Sequence, residues 1–286
     1  MNIEDYIRNI YNEFKVYLDK ENILCDLNNL HFYSKNIPDY NNIHIQQLYL
    51  LRYAYAYIFE YKEMYDKLFS IFLNEINNIN ILSIGSGACL DFYSLNFICN
   101  YPADYLGIDC IDWYYKPENL GNHLCKFKFY QDDFFNILKS HSISREIIFF
   151  PKSIGELSNE CLELLPQKIN SNNLYLLVSF AFDKEDRERL DILLNAFKKE
   201  NFIIHGDIIS YKTKKDEAIY ISDIESNFKY PIFPIEIKND LNSLKENFCK
   251  YGNICSKYCD ISRFPITTNS KMNYDIIRLI RTRIKK

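Results

Sequence analysis

The chain has 286 residues, 48% of them hydrophobic and 25% charged, which suits one large globular domain with an annex and excludes a disordered polymer. Its formal net charge of −4 supplies no overall field that would draw it to nucleic acid. The longest apolar runs, such as Leu174 to Phe182, fall well short of the ~20 residues that cross a bilayer, and Met1-Asn2-Ile3-Glu4-Asp5 lacks the basic start and apolar core of a secretion signal. Nine cysteines is an odd number, and most sit singly in apolar stretches (Cys89, Cys99, Cys110, Cys125, Cys161). That pattern fits reduced, buried thiols and a cytoplasmic location better than a disulfide framework.

Residues 1–76 read as a helical amino-terminal cap. Met1 to Leu18 carries apolar residues at helical spacing, Pro38 marks a loop, and a long helix is predicted from about Ile43 to Ile76. Tyr49, Tyr53, Tyr57, Tyr61 and Tyr65 recur at every fourth position of that helix and so share a slowly drifting face. Such a stripe reads either as a packing face or, through Arg52 and Tyr53, as a wall reaching over a ligand cleft.

From Asn77 the period changes. Short apolar runs alternate with helical segments, the pattern of βα units on a mostly parallel sheet. Strands are predicted at Ile79–Ile84, Tyr105–Ile108, Lys126–Tyr130, Ile147–Phe150 and Leu174–Phe180, then Phe202–Ile209 and Ala218–Ser222 as an antiparallel hairpin. The expected fold is therefore α/β, a Rossmann-like, seven-stranded, mostly parallel sheet over residues 77–224. Residues 225–286 form a carboxy-terminal appendage with a cysteine cluster and a basic helix.

Three strand ends carry the chemical signal. The first strand runs into Ser83-Ile84-Gly85-Ser86-Gly87-Ala88-Cys89, where small residues permit a tight turn and close approach of backbone to a ligand at a helix start. A pair of glycines serving only the turn would look similar. The second strand ends in Gly107-Ile108-Asp109, an acid suited to two ribose hydroxyls. After the third comes Gln131-Asp132-Asp133-Phe134, where a carboxylate could accept from an adenine amine beside an apolar wall.

Together these segments resemble the class I S-adenosylmethionine (SAM)-dependent methyltransferase superfamily, as does the terminal hairpin after a fifth parallel strand. The resemblance implies a transferase with SAM as cofactor: Gly85, Ser86 and Gly87 beside its methionine part, Asp109 on the ribose, and Asp132 or Asp133 on the adenine amine, with Phe134 as the wall. Ser83 stands where the family usually has an acid and Cys89 where it has a third glycine. Leu90 replaces the last glycine of the dinucleotide fingerprint, so NAD fits worse. The family's substrate groups gather after the fourth strand, here Phe150-Pro151-Lys152-Ser153, with Lys152 and Glu156 as candidate catalytic groups and a turn-capping Lys152 as the plainer reading. This segment does not carry the motif of nucleobase amine methylation. The acceptor stays open among RNA, protein and small molecule. A catalytically silent scaffold or RNA-binding module, or aminocarboxypropyl transfer from SAM, are the alternatives.

In the tail, Cys249, Cys255 and Cys259 are either a metal set lacking a fourth ligand or free thiols. Lys271, Arg278, Arg281, Arg283, Lys285 and Lys286 on a carboxy-terminal helix could face RNA phosphates, or the helix could dock through its isoleucines with its charges in water.

Overall fold

The computed structural model describes residues 2–21, 38–117, 124–224, 230–248 and 265–282. The chain divides into two compact units, each discontinuous in sequence. One comprises Met1–Phe59, Trp113–Tyr115 and Ile219–Asn269; the other comprises Glu60–Asp112, Lys116–Ala218 and Ser270–Lys286. These bounds differ from the three consecutive segments expected from the sequence.

The first unit is helical. In α1 (Ile3–Glu21), Ile3, Ile7, Ile10, Phe14 and Leu18 recur at helical spacing and are buried. Its polar face meets α7 (Ile235–Phe248) through an Arg8–Glu236 ion pair and a hydrogen bond from the Tyr11 hydroxyl to Asp240. The long helix α2 (Ile43–Phe72) contributes its first half to this unit, where Tyr49 and Tyr53 stand 5.0 Å apart and Tyr49 lies 5.5 Å from Trp113.

Among the described residues the second unit is built on a sheet of eight strands: β1 (Ile79–Ile84), β2 (Ala103–Asp109), β3 (Cys125–Gln131), β4 (Ile147–Pro151), β5 (Asn173–Ser179), β6 (Phe202–Ile204), β7 (Ile209–Lys212) and β8 (Asn273–Arg281). The order is β3-β2-β1-β4-β5-β8-β6, with β7 also paired to β8. Strands β1 to β5 are parallel, while β8 runs antiparallel to β5 and to both β6 and β7. The order reverses between β1 and β4, the switch point outside which ligands bind in open α/β sheets.

Strands β4 and β5 are apolar and buried nearly throughout, as befits the middle of a sheet covered on both sides. Alternate residues divide between the faces. Leu82, Ile108, Ile148, Phe150 and Leu176 join α4 (Phe134–Ser140), α5 (Asn159–Lys168) and α6 (Asp183–Lys199) in one core cluster. On the other face, Phe92 of α3 (Leu90–Ile98) lies 4.9 Å from Tyr105, and Tyr61 and Tyr65 of α2 set their rings edge-on to Phe149 at 5.2 and 5.3 Å. The tyrosine ladder is thus a packing face: Tyr53, Tyr57, Tyr61 and Tyr65 are all buried.

Two expectations need correction. The described part of the basic segment is strand β8, not a helix. Tyr274, Ile276, Ile277 and Leu279 are buried between β5 and the β6–β7 edge, so pairing on both sides overrides the helical reading of the isoleucines. Its basic residues also turn inward: Arg278 pairs with Glu75 at 2.6 Å, and Arg281 donates to the Ile169 carbonyl at 2.8 Å. Ala218–Ser222 is no strand; it forms a short turn with one bridge, Tyr220 to Thr268. The antiparallel element after β5 is therefore made by β8 with β6 and β7. Cys249, Cys255, Cys259, Arg283, Lys285 and Lys286 lie outside the described residues. No described helix is long and apolar enough to cross a membrane.

Candidate functional site

The carboxyl ends of β1, β2, β3 and β4 all lie within the second unit. Beyond Ile84, Gly85 at φ +64° and Gly87 at φ +54° take the left-handed conformation, and so does Cys89 at φ +55°. Three left-handed residues in five turn the chain back on itself before α3 begins. An L side chain at Gly85 would also place its Cβ 2.5 Å from Ser153 Cβ, so glycine is required twice over. Cys89 pays the steric cost of that conformation and keeps the turn that a third glycine would make.

The turn is tied down by its neighbours. Ser86 N–H donates to the Ile108 carbonyl at 3.0 Å. Asp109 accepts from Gly87 N–H at 2.7 Å and from Ile111 N–H at 2.8 Å, while its carbonyl accepts from Asp132 N–H at 3.0 Å. The Asp109 carboxylate thus ties the Gly87 end of the loop to the start of the segment after β2. Asp109 is half-buried and Asp132 and Asp133 are exposed; Asp133 also caps α4, accepting from Phe135 N–H at 2.8 Å. Phe134 belongs to the core cluster and, with Leu106, Ile108, Asp132, His141 and Arg145, lines a cavity of about 510 Å³ whose lining does not include Gly85, Gly87, Asp109 or Glu156.

Ser83 and Ser86 are buried, so neither presents its side chain to solvent. Ser83 points under the loop, where its hydroxyl and that of Tyr105 face the buried carboxyl of Asp91; Tyr105 donates to Asp91 at 2.9 Å. Burial pushes the Asp91 carboxyl up to about 7 against the pull of those hydroxyls.

Lys152 and Glu156, both singled out in the sequence, have different fates. Lys152 follows β4 at φ +63° and turns its ammonium inward, to Glu60 at 2.8 Å and to the carbonyls of Phe180 and Lys271, each at 3.0 Å. Glu60 also accepts from Ser179 at 2.8 Å and from Asn273 N–H at 3.3 Å. Burial drives each member toward its neutral form and the pairing opposes it. This pair joins α2 to β4, β5 and β8, and the sequence offers no signal that pairs Glu60 with Lys152.

Glu156, by contrast, reaches solvent, and surrounding protein and then the charges of Asp109 and Asp186 push its carboxyl up to about 7. Asp186 lies beneath Gly155, whose missing side chain makes the room: a Cβ there would sit 2.2 Å from the carboxylate. Cys110 is raised by burial and by Asp109, Glu156 and Asp133. The acids at the strand ends therefore reinforce one another's negative potential, which favours a cation over a phosphate. No cluster of metal-ligating side chains occurs among the described residues.

No family model matches the chain, and no curated protein matches it in sequence. Similar folds occur among solved structures. The plantazolicin methyltransferase BpumL in complex with SAH is 17% identical, with 96% of this chain and 99% of that chain covered at a TM-score of 0.41. Magnesium protoporphyrin IX methyltransferase (ChlM) from Synechocystis PCC 6803 with bound SAM is 9% identical over 94% and 97%, at 0.40, and the [4+2]-cyclase SpnF is 11% identical over 77% and 81%, at 0.41. The strand order β3-β2-β1-β4-β5-β8-β6, parallel up to β5 and antiparallel at β8, is that of a Rossmann-like α/β sheet. A fold of this kind fixes where a ligand sits but not which reaction follows.

Proposed function

We propose that the chain binds SAM at the carboxyl ends of β1 to β4 and is a SAM-dependent methyltransferase. The observation that carries this reading is the left-handed Gly85–Cys89 turn locked to Asp109, with Glu156 close enough to feel that carboxylate. SAM bears a sulfonium and an ammonium, which this potential favours; a dinucleotide would bring its pyrophosphate against Asp109, Glu156 and Asp133. Cys89 keeps the left-handed backbone in place of glycine, which supports a working loop over a decayed one.

When bound, SAM supplies an electrophilic methyl group. The chain's part is to hold and orient. Gly85 and Gly87 let the backbone approach the methionine part, Asp109 accepts from the ribose hydroxyls, and Asp132 or Asp133 accepts from the adenine amine. Glu156 holds or releases a proton near neutral pH at the end of β4, where an acceptor would lie. Positioning supplies the rest of the effect in such transfers. Lys152, spent on Glu60, is assigned a structural role.

Calorimetric titration with SAM tests the reading, and saturable binding is expected. Asp109→Ala should weaken it by about 1–3 kcal/mol, roughly 5- to 150-fold. Unchanged affinity in the variant would remove the ribose assignment. Absence of binding by the parent chain would favour a scaffold on the same fold.

A further inference from the structure

The cavity of about 510 Å³ beside α4 lies wholly within the second unit and apart from the Gly85–Cys89 turn. Helix α4 is only seven residues long, and Ile137 on it and Leu106 on β2 stay half-buried where they line the cavity. The segment that follows α4 lines it too, and that segment is held by backbone bonds. Ile143 N–H donates to the Lys168 carbonyl at 2.7 Å, the Ile143 carbonyl accepts from Asn170 N–H at 2.9 Å, and Glu146 N–H donates to Asn80 Oδ1 at 2.6 Å. The cavity is therefore built before any ligand arrives. Its size and its largely apolar lining, with a few polar groups at the rim, are those of a small-molecule site.

Two charged residues mark its ends. Arg145 Nη1 donates to the Asp104 carbonyl at 2.9 Å and pairs with the Asp104 carboxylate at 3.1 Å, at the amino end of β2. Arg145 Nε and Nη2 have no protein acceptor among the described residues, and together they form the fork that matches both oxygens of a second carboxylate. Asp132 stands at the other end, its N–H on the Asp109 carbonyl. Asp104 and Asp109 are separated by roughly 16 Å of strand, with Leu106 and Ile108 between them as the apolar floor. We propose that this cavity binds an aromatic carboxylic acid, with its rings over Leu106 and Ile108 and its carboxylate on Arg145. Asp132 repels an anion at its own end, so the acid enters in one orientation. The site goes beyond the cofactor reading and does not depend on it.

The test irradiates the full chain with 4-benzoylbenzoate, a photoreactive aromatic acid, and maps the label by trypsin digestion and mass spectrometry. Saturable labelling is expected in the peptides Phe129–Lys139 and Ser140–Arg145, which carry much of the lining. Benzophenone, which lacks the carboxylate, should label them at least about tenfold less, the ratio expected for a lost charged hydrogen bond. Ser142→Trp, at an exposed rim position, should close the mouth and cut labelling about tenfold with the melting temperature kept. Arg145→Met should cut it as far, and the rim variant decides the matter if loss of the Asp104 pair unfolds that chain. Excess SAM should leave the label in place. Labelling that does not saturate, that falls on other peptides, that benzophenone matches or that survives Ser142→Trp would overturn the proposal. Loss of the label in SAM would overturn it too, by making the cavity part of the cofactor site.

Discussion

Replacing Lys152 with Met removes an ammonium from a site where all its partners stay behind. Glu60, fully buried, would keep only Ser179 and the Asn273 N–H, and the carbonyls of Phe180 and Lys271 would each lose a donor. Breaking a buried ion pair by deleting one partner costs about 3–5 kcal/mol, and neither side chain is exposed enough for solvent to screen the loss. Against a total stability of about 5–15 kcal/mol, that is a melting shift of roughly 6–20 °C. Urea unfolding followed by far-ultraviolet circular dichroism at pH 7 would read it. The double variant Lys152→Met with Glu60→Gln removes the buried charge and should recover about 1–3 kcal/mol of the loss. A single variant within about 1 kcal/mol of the parent, or a double variant that merely adds the two losses, would refute the assignment of Lys152 to the scaffold.

The raised Glu156 carboxyl beside Asp109 predicts a pH dependence of ligand affinity. As pH rises through about 7, Glu156 loses its proton and adds negative charge beside Asp109, so SAM should bind more tightly at pH 8 than at pH 6. Glu156→Gln should flatten that profile, and calorimetry at both pH values would expose a profile that does not change. Asp91, raised to about 7 by burial, contributes stability that is present below its ordinary value near 4 and lost as pH rises through about 7. Asp91→Asn should therefore soften the fall in melting temperature between pH 5 and 8, and an unaltered slope would exclude Asp91 as its source. Gly85→Ala combines a left-handed backbone with a Cβ 2.5 Å from Ser153 Cβ, and should cost at least about 2 kcal/mol in chemical denaturation. Adding Ser153→Gly should return part of that loss; none returned would mean that the contact is not the cause.

Much of the architecture was legible because its signals are local. Strands β1 to β5 announce themselves as short apolar runs, and the Gly85–Cys89 turn and Asp109 stand at strand ends that those runs define. The tyrosine ladder shows one face of α2 without saying what covers it. What escaped the sequence depends on contacts distant in the chain. Ile276, Ile277 and Leu279 fit a helix or a buried strand equally well until β5 and β7 are in place to pair with them. Lys152 sits where a catalytic base would sit, and only Glu60, 92 residues earlier, shows that it is committed elsewhere.

The position of β8 bears on how the chain is made. Its partner β5 ends at Ser179, yet β8 begins at Asn273, so residues 180–272 must be synthesised in between. At about 5–20 residues per second that is a delay of roughly 5–20 s. Throughout it, β5 presents an open edge of unpaired amides and carbonyls flanked by Leu174, Leu176 and Val178, and β6 and β7 have nothing to bond to. Open apolar edges pair with other chains. On the ribosome, therefore, this sheet waits half-built at its most adhesive border, and a nascent-chain chaperone shielding β5 would decide how much of the product folds and how much aggregates.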